Sequence, residues 1–94
     1  MILTFNENEY AIDRFTFTIS KDEDSENLKR KDLSITLFDE DIISIIDESN
    51  SDLYELKISL GENKEDIVFE DFKFESLNVY MSNGKNNIDV RFSK

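Results

Sequence analysis

The chain has 94 residues, with 22 Asp and Glu against 11 Lys and Arg and a formal net charge of -11. That length excludes a second domain. With no Cys and no His, it also excludes a disulfide framework, a thiolate metal site and the nucleophile–base pairs of most hydrolases. Disorder is the natural rival at 35% charged residues, but a disordered chain is poor in aromatic and β-branched residues. This one has 12% aromatics, eight of them Phe, and its Ile and Val are periodic. A chain of this size can hide roughly 65% of the surface its unfolded form exposes, so one compact domain over residues 1–94 is expected.

In chain order, Ile2 to Phe5 leads through Asn6-Glu7-Asn8-Glu9 into Tyr10 to Ser20, where Phe15, Phe17 and Ile19 alternate with Thr16 and Thr18. The spacing predicts a hairpin. Tyr10 and Ile12 have the opposite parity to Phe15 and Phe17, so both sets face one core only if a bulge lies near Asp13-Arg14. Lys21 to Asp32 has almost no apolar content and predicts a mobile charged loop. Leu33, Ile35 and Leu37 give a third strand, ending at Phe38.

Asp39 to Glu48 changes period. With Asp39 at zero on a helical wheel, the four Ile fall at about 300, 40, 240 and 340 degrees, and Glu40, Asp41, Ser44, Asp47 and Glu48 fall between about 80 and 200. The arcs do not overlap, which predicts a short helix with Asp39 as its cap. Leu53 to Leu60 returns to a strand with Tyr54, Leu56, Ile58 and Leu60 on one face. After the turn at 61–66, Ile67 to Phe74 forms a strand whose parity slips at Glu70-Asp71, predicting a second bulge. Leu77, Val79 and Met81, then Asn83-Gly84, then Ile88, Val90 and Phe92 predict a closing hairpin. The fold class read from this order is α+β and β-rich: a mainly antiparallel sheet of six to seven strands with one short helix packed on a face.

The chemistry that the residues permit is narrow. Neither Gly belongs to a phosphate-cradling loop, and carboxylates this abundant pair by chance, so no catalytic residue is expected. Asp22 to Asn27 begins like an EF-hand loop but has Asn27 where Gly is required and Leu33 where an acid is required. No metal and no cofactor are expected. The opening residues reach Glu7 and Glu9 at once, without a basic region or an apolar run long enough for a signal peptide or a membrane span. The chain is therefore expected in the cytoplasm. The charge argues against direct binding of nucleic acid or of an anionic membrane surface, and makes any charged partner basic.

Two acidic groups stand out as candidate partner-binding residues. Glu40, Asp41, Asp47 and Glu48 share the polar face of the predicted helix, and Asp52 follows. Asp47 and Glu48 lie near the helix C-terminus, where the dipole opposes acid by roughly 0.3 to 1 kcal/mol each. The second group is Glu62, Glu65, Asp66, Glu70 and Asp71, with Glu75 beyond. Either group is a solvated face or a negative ridge for a basic partner. Phe15, Phe17, Phe69, Phe72 and Phe74 are expected in the core, and Tyr10, Tyr54 and Tyr80 at the rim.

In its size, its charge and the acidic stretches Asp39 to Asp52 and Glu62 to Glu75, the chain resembles small phage-encoded inhibitors of the anti-CRISPR and DNA-mimic class. The AT-rich residue usage, with a single Ala and no Pro, fits a bacterial host cell or its phage. The resemblance implies a non-catalytic inhibitor whose acids occupy the basic nucleic-acid-binding site of a target protein. The alternative from the same pattern is a small phage tail or virion component that assembles through β-edge contacts, with itself or with neighbours.

Overall fold

No Pro interrupts the chain and both Gly fall outside the strands, so the alternating segments run long. The computed structural model describes residues 1–21 and 28–94. Its elements are β1 (Ile2–Phe5), β2 (Asn8–Lys21), β3 (Lys29–Leu37), α1 (Asp41–Glu48), β4 (Tyr54–Ser59), β5 (Ile67–Ser82) and β6 (Lys85–Ser93). Every pairing is antiparallel, as expected, but the sheet is not open. It closes into a barrel in the order β1-β2-β3-β6-β5-β4.

Closure follows from the lengths of two strands. β2 has 14 residues and β5 has 16. Each gives its first half to one neighbour and its second half to another: β2 to β1 and then β3, β5 to β4 and then β6. The switch is made at bulges, which bend and twist a strand. One lies at Asp13, between the Ile12 and Arg14 pairings, and one at Glu70-Asp71, which face the single residue Glu55. Both positions agree with the parity slips in the sequence. A third bulge at Glu75 joins the segments 67–74 and 77–82 into one strand, which makes six strands among the described residues.

Part of the expected loop at 21–32 is strand. Lys21 pairs with Lys29, and Lys29 to Asp32 belong to β3. The EF-hand-like run from Asp22 to Asn27 lies outside the described residues. At the opposite hairpins, two-residue turns have both central residues at positive φ: Asn83 and Gly84 (φ 54 and 74), and Asn6 and Glu7 (φ 48 and 67). This is the turn whose twist suits two paired strands.

The inward residues form one core that includes Leu3, Phe5, Ile35, Leu56, Ile88 and Phe92, with Ile42 of α1 buried among them. The helix is therefore not laid on the face of a sheet. It stands at one mouth of the barrel with Ile42 wholly buried and Ile43, Ile45 and Ile46 packed against the core. A closed barrel has the outer wall of a sheet and two open ends, and the apolar stripe of α1 covers one end.

Ile42→Ala should therefore lower stability by about 2 to 5 kcal/mol, the usual range for emptying a buried Ile site, measured by urea denaturation. Glu7→Gly should raise it by roughly 0.5 to 1 kcal/mol, because Gly relieves the left-handed backbone at that position. A loss of stability in the same assay would contradict the turn assignment.

Candidate functional site

The helical mouth is mainly acidic; a cation there is Lys85 at the start of β6, whose Nζ lies 5.6 Å from the centroid of the Phe38 ring. Asp39 Oδ1 accepts the Asp41 N–H at 3.0 Å, but the N-cap position expected for Asp39 is taken by Glu40, whose side chain makes no capping bond. Glu40 Oε1 accepts Asn86 Nδ2 at 2.9 Å, which ties the helix start to β6. At the other end, the Ser49 N–H reaches the Ile46 carbonyl, and the Tyr54 hydroxyl donates to Ser49 Oγ at 2.8 Å. With both ends pinned, Ile42 points into the core, and Glu40, Asp41, Ser44, Asp47 and Glu48 are exposed. The turn between β1 and β2 brings Glu7 and Asn8 to the same hollow as Ile45 and Glu48. Glu7 is thus an added member of the acidic end that no sequence spacing could have joined to the helix.

None of these carboxylates has a Lys or Arg within 4.0 Å among the described residues. The two ion pairs found there are elsewhere: Arg30 with Asp32 at 3.0 Å, and Lys57 with Asp66 at 3.9 Å. The last turn of α1 holds no basic residue. Asp52 follows in the loop before β4, at a cleft shared with Tyr54, Lys73 and Phe74. The remaining predicted acids do not join this end. Glu62, Glu65 and Asp66 sit in the loop beyond the far end of β4, about 20 Å away along a six-residue strand. Asp66 has a cationic partner there. Glu70 and Asp71 occupy the β5 bulge, Asp71 at φ 60, and the Glu70 carbonyl accepts Lys94 Nζ at 3.1 Å. The two groups are separate surfaces with different degrees of compensation.

The bases are spent on the wall. All three Arg of the chain lie on the outer face of the β2–β3–β6 half: Arg14 Nε is 3.5 Å from Thr36 Oγ1, Thr36 Oγ1 donates to Asp89 Oδ1 at 2.6 Å, Arg30 holds Asp32, and Arg91 stands opposite Ser34. Ser93 Oγ donates to Glu75 on the same wall. Among the described residues, no group of three acidic side chains is arranged to hold a metal ion, and no helix is long and apolar enough to cross a membrane.

The aromatics differ from expectation. Tyr10 and Tyr54 are buried and only Tyr80 is at the rim, whereas Phe17 is 37% exposed and Phe74 36%. Parity places a side chain on a face, but depth depends on where the barrel ends. Phe15, Phe17, Ile67, Phe69 and Phe72 line an apolar cleft of about 490 Å³ at the second mouth, with the Phe17 ring 5.1 Å from that of Phe69. At the helical mouth, burial, then the carboxylates of Asp39 and of Asp41, push the Tyr10 phenol above its usual value.

The fold therefore holds the neutral phenol. That contribution is complete below about pH 10, the free value, and is lost as pH rises through the folded value. In a spectrophotometric titration, Tyr10→Phe should delete a phenol component that titrates above 10.0, and Asp39→Asn with Asp41→Asn should move that component down. No movement would separate Tyr10 from the acidic end. Comparison with known protein families, with curated proteins and with solved structures finds no match to this chain.

Proposed function

We propose that the chain is a non-catalytic binding protein that presents the acidic end formed by α1 to a basic, nucleic-acid-binding partner. In this reading it acts as an inhibitor of the DNA-mimic kind, anti-CRISPR-like and phage-encoded, in the cytoplasm of a bacterial host. The observation that carries it is the absence of any cation within 4.0 Å of Glu40, Asp41, Asp47 or Glu48 among the described residues. Acid in the last helical turn opposes the helix dipole, so stability alone favours the opposite sign at Asp47 and Glu48. Unpaired, exposed charge on a rigid, pinned element is what steers a partner of opposite charge and sets its on-rate. Duplex DNA carries one negative charge per roughly 1.7 Å of its axis, and side chains rather than phosphates would provide the competing charge here.

The test is capture from bacterial lysate with wild type and with the triple variant Asp41→Lys, Asp47→Lys, Glu48→Lys. Wild type should retain a basic nucleic-acid-binding protein that about 0.5 M salt releases, as expected where Debye screening falls to a few ångströms, and that duplex DNA displaces. The variant should lose it while melting at the same temperature or slightly higher. Capture that survives both charge reversal and salt would sink this reading.

A second reading, assembly through a strand edge, rests on the carboxyl half of β5. That half pairs with β6 on one side and has no backbone partner on the other among the described residues. Residues 76–84 are the longest run without a charge in the sequence, and Met81 is 69% exposed. Natural edges are usually guarded by charge or Pro. If this edge assembles, sedimentation at rising concentration should show oligomers that Val79→Lys abolishes; a monomer at all concentrations removes the reading.

A further inference from the structure

The barrel is made twice. β1–β2–β3 and β4–β5–β6 are meanders with the same internal pairing, and exchanging them returns the two seams, β1 with β4 and β3 with β6, to themselves. Their long middle strands both bend at bulges. The exchange therefore relates the two mouths. At the first, α1 meets Asn8 at the start of β2, and Lys73 and Phe74 of β5. At the second, the start of β5 and the carboxyl half of β2 surround the aromatic cleft. Where the first mouth holds a helix with an aliphatic stripe, the second holds none among the described residues.

The charged residues lining the cleft at the second mouth are two Lys and one Glu, while the loop 61–66 at the same end carries Glu62, Glu65 and Asp66 with Lys64. The cleft lining has Lys31 and Lys94 beside the single acid Glu70, in a molecule with twice as many acids as bases, and Lys94 Nζ donates to the Glu70 carbonyl at 3.1 Å. Lys31 and Lys94 are fixed there by paired backbone hydrogen bonds of 3.0 and 2.9 Å. The floor is rigid, since Phe69 and Phe72 are buried and meet edge to face at 5.6 Å. Phe17 and Val68 are left half-exposed above it.

We propose that this mouth docks a short amphipathic helix of a partner protein, with branched aliphatic residues on one face and carboxylates beside them, in the place that α1 occupies at the first mouth. Such a helix would set its aliphatic stripe on Phe17, Phe69 and Phe72, as helix-in-groove recognition does. Its carboxylates would meet Lys31 and Lys94. A cleft of about 490 Å³ lies within the range of functional pockets, roughly 300 to 1,000 Å³. The partner's sign is opposite to that recognised by the acidic end, so this inference stands apart from the proposed function.

The probe is a fluorescein-labelled peptide with the sequence of residues 39–49, stapled on its polar face to hold it helical, titrated with the full chain and read by fluorescence anisotropy. Saturable binding is expected, with affinity at least tenfold lower for Phe17→Asp and for the pair Lys31→Glu, Lys94→Glu. The Lys pair keeps the test decisive if Phe17→Asp does not fold, because both side chains are on the rim. Three results would overturn the proposal: no anisotropy change, binding that neither variant weakens, or a cleft that takes up dodecanoate with Phe17 dependence but not the peptide.

Discussion

Everything in this molecule hangs on a four-residue strand that pairs on both sides. β1 carries Leu3 and Phe5 into the core and joins β2 on one flank and β4 on the other. Without it the barrel is two meanders joined along one seam, with their apolar faces open to water. Closing a sheet of only six strands demands strong bending, and the bends are supplied where polar residues interrupt the alternation, at Asp13, Glu70-Asp71 and Glu75. The interruptions are what allow β2 and β5 to serve two neighbours each.

The bends were readable in part. Opposite parity on either side of Asp13-Arg14 and of Glu70-Asp71 has no explanation in a straight strand, so those two bulges were legible, as was the Asn83-Gly84 turn. The slip at Glu75 is hidden in the sequence because the alternation ending at Phe74 and the one starting at Leu77 look like separate strands. Closure itself left no local trace: the pairings of Leu3 with Ile58 and of Ile35 with Val90 involve residues whose alternation would be the same in an open sheet. The depth of Phe17 and Tyr10 inherits that blindness. The helix was legible from non-overlapping arcs, but whether its aliphatic stripe lies on a face or stops a mouth depends on the ring being closed. The candidate acids were all legible as exposed. That Glu7 joins the helical group, and that Asp66 is compensated by Lys57, needed the three-dimensional arrangement.

Charge and architecture are sorted together. The outer wall of the β2–β3–β6 half is balanced, with arginines set among hydroxyls and carboxylates in alternating register. The helical end is mainly acidic, and the cleft at the aromatic end is lined by Lys31 and Lys94 with Glu70. In a closed barrel the wall has little freedom to differ from strand to strand, whereas the ends are formed by turns, a helix and strand termini that are not bound by the ladder. Distinct chemistry therefore accumulates at the ends.

The two seams also govern how the chain acquires its structure. Leu3 with Ile58 and Ile35 with Val90 each bring together residues about 55 positions apart, while the pairings inside each meander join strands that are consecutive in the chain. Local hairpins form on microsecond scales, but the first seam must overcome a loop-closure entropy that grows with the logarithm of its length. Once that seam has formed, the two halves are tethered at close range and the second closes at a small further entropic cost. The two seams therefore support one another, and losing either one raises the entropic cost of keeping the other closed.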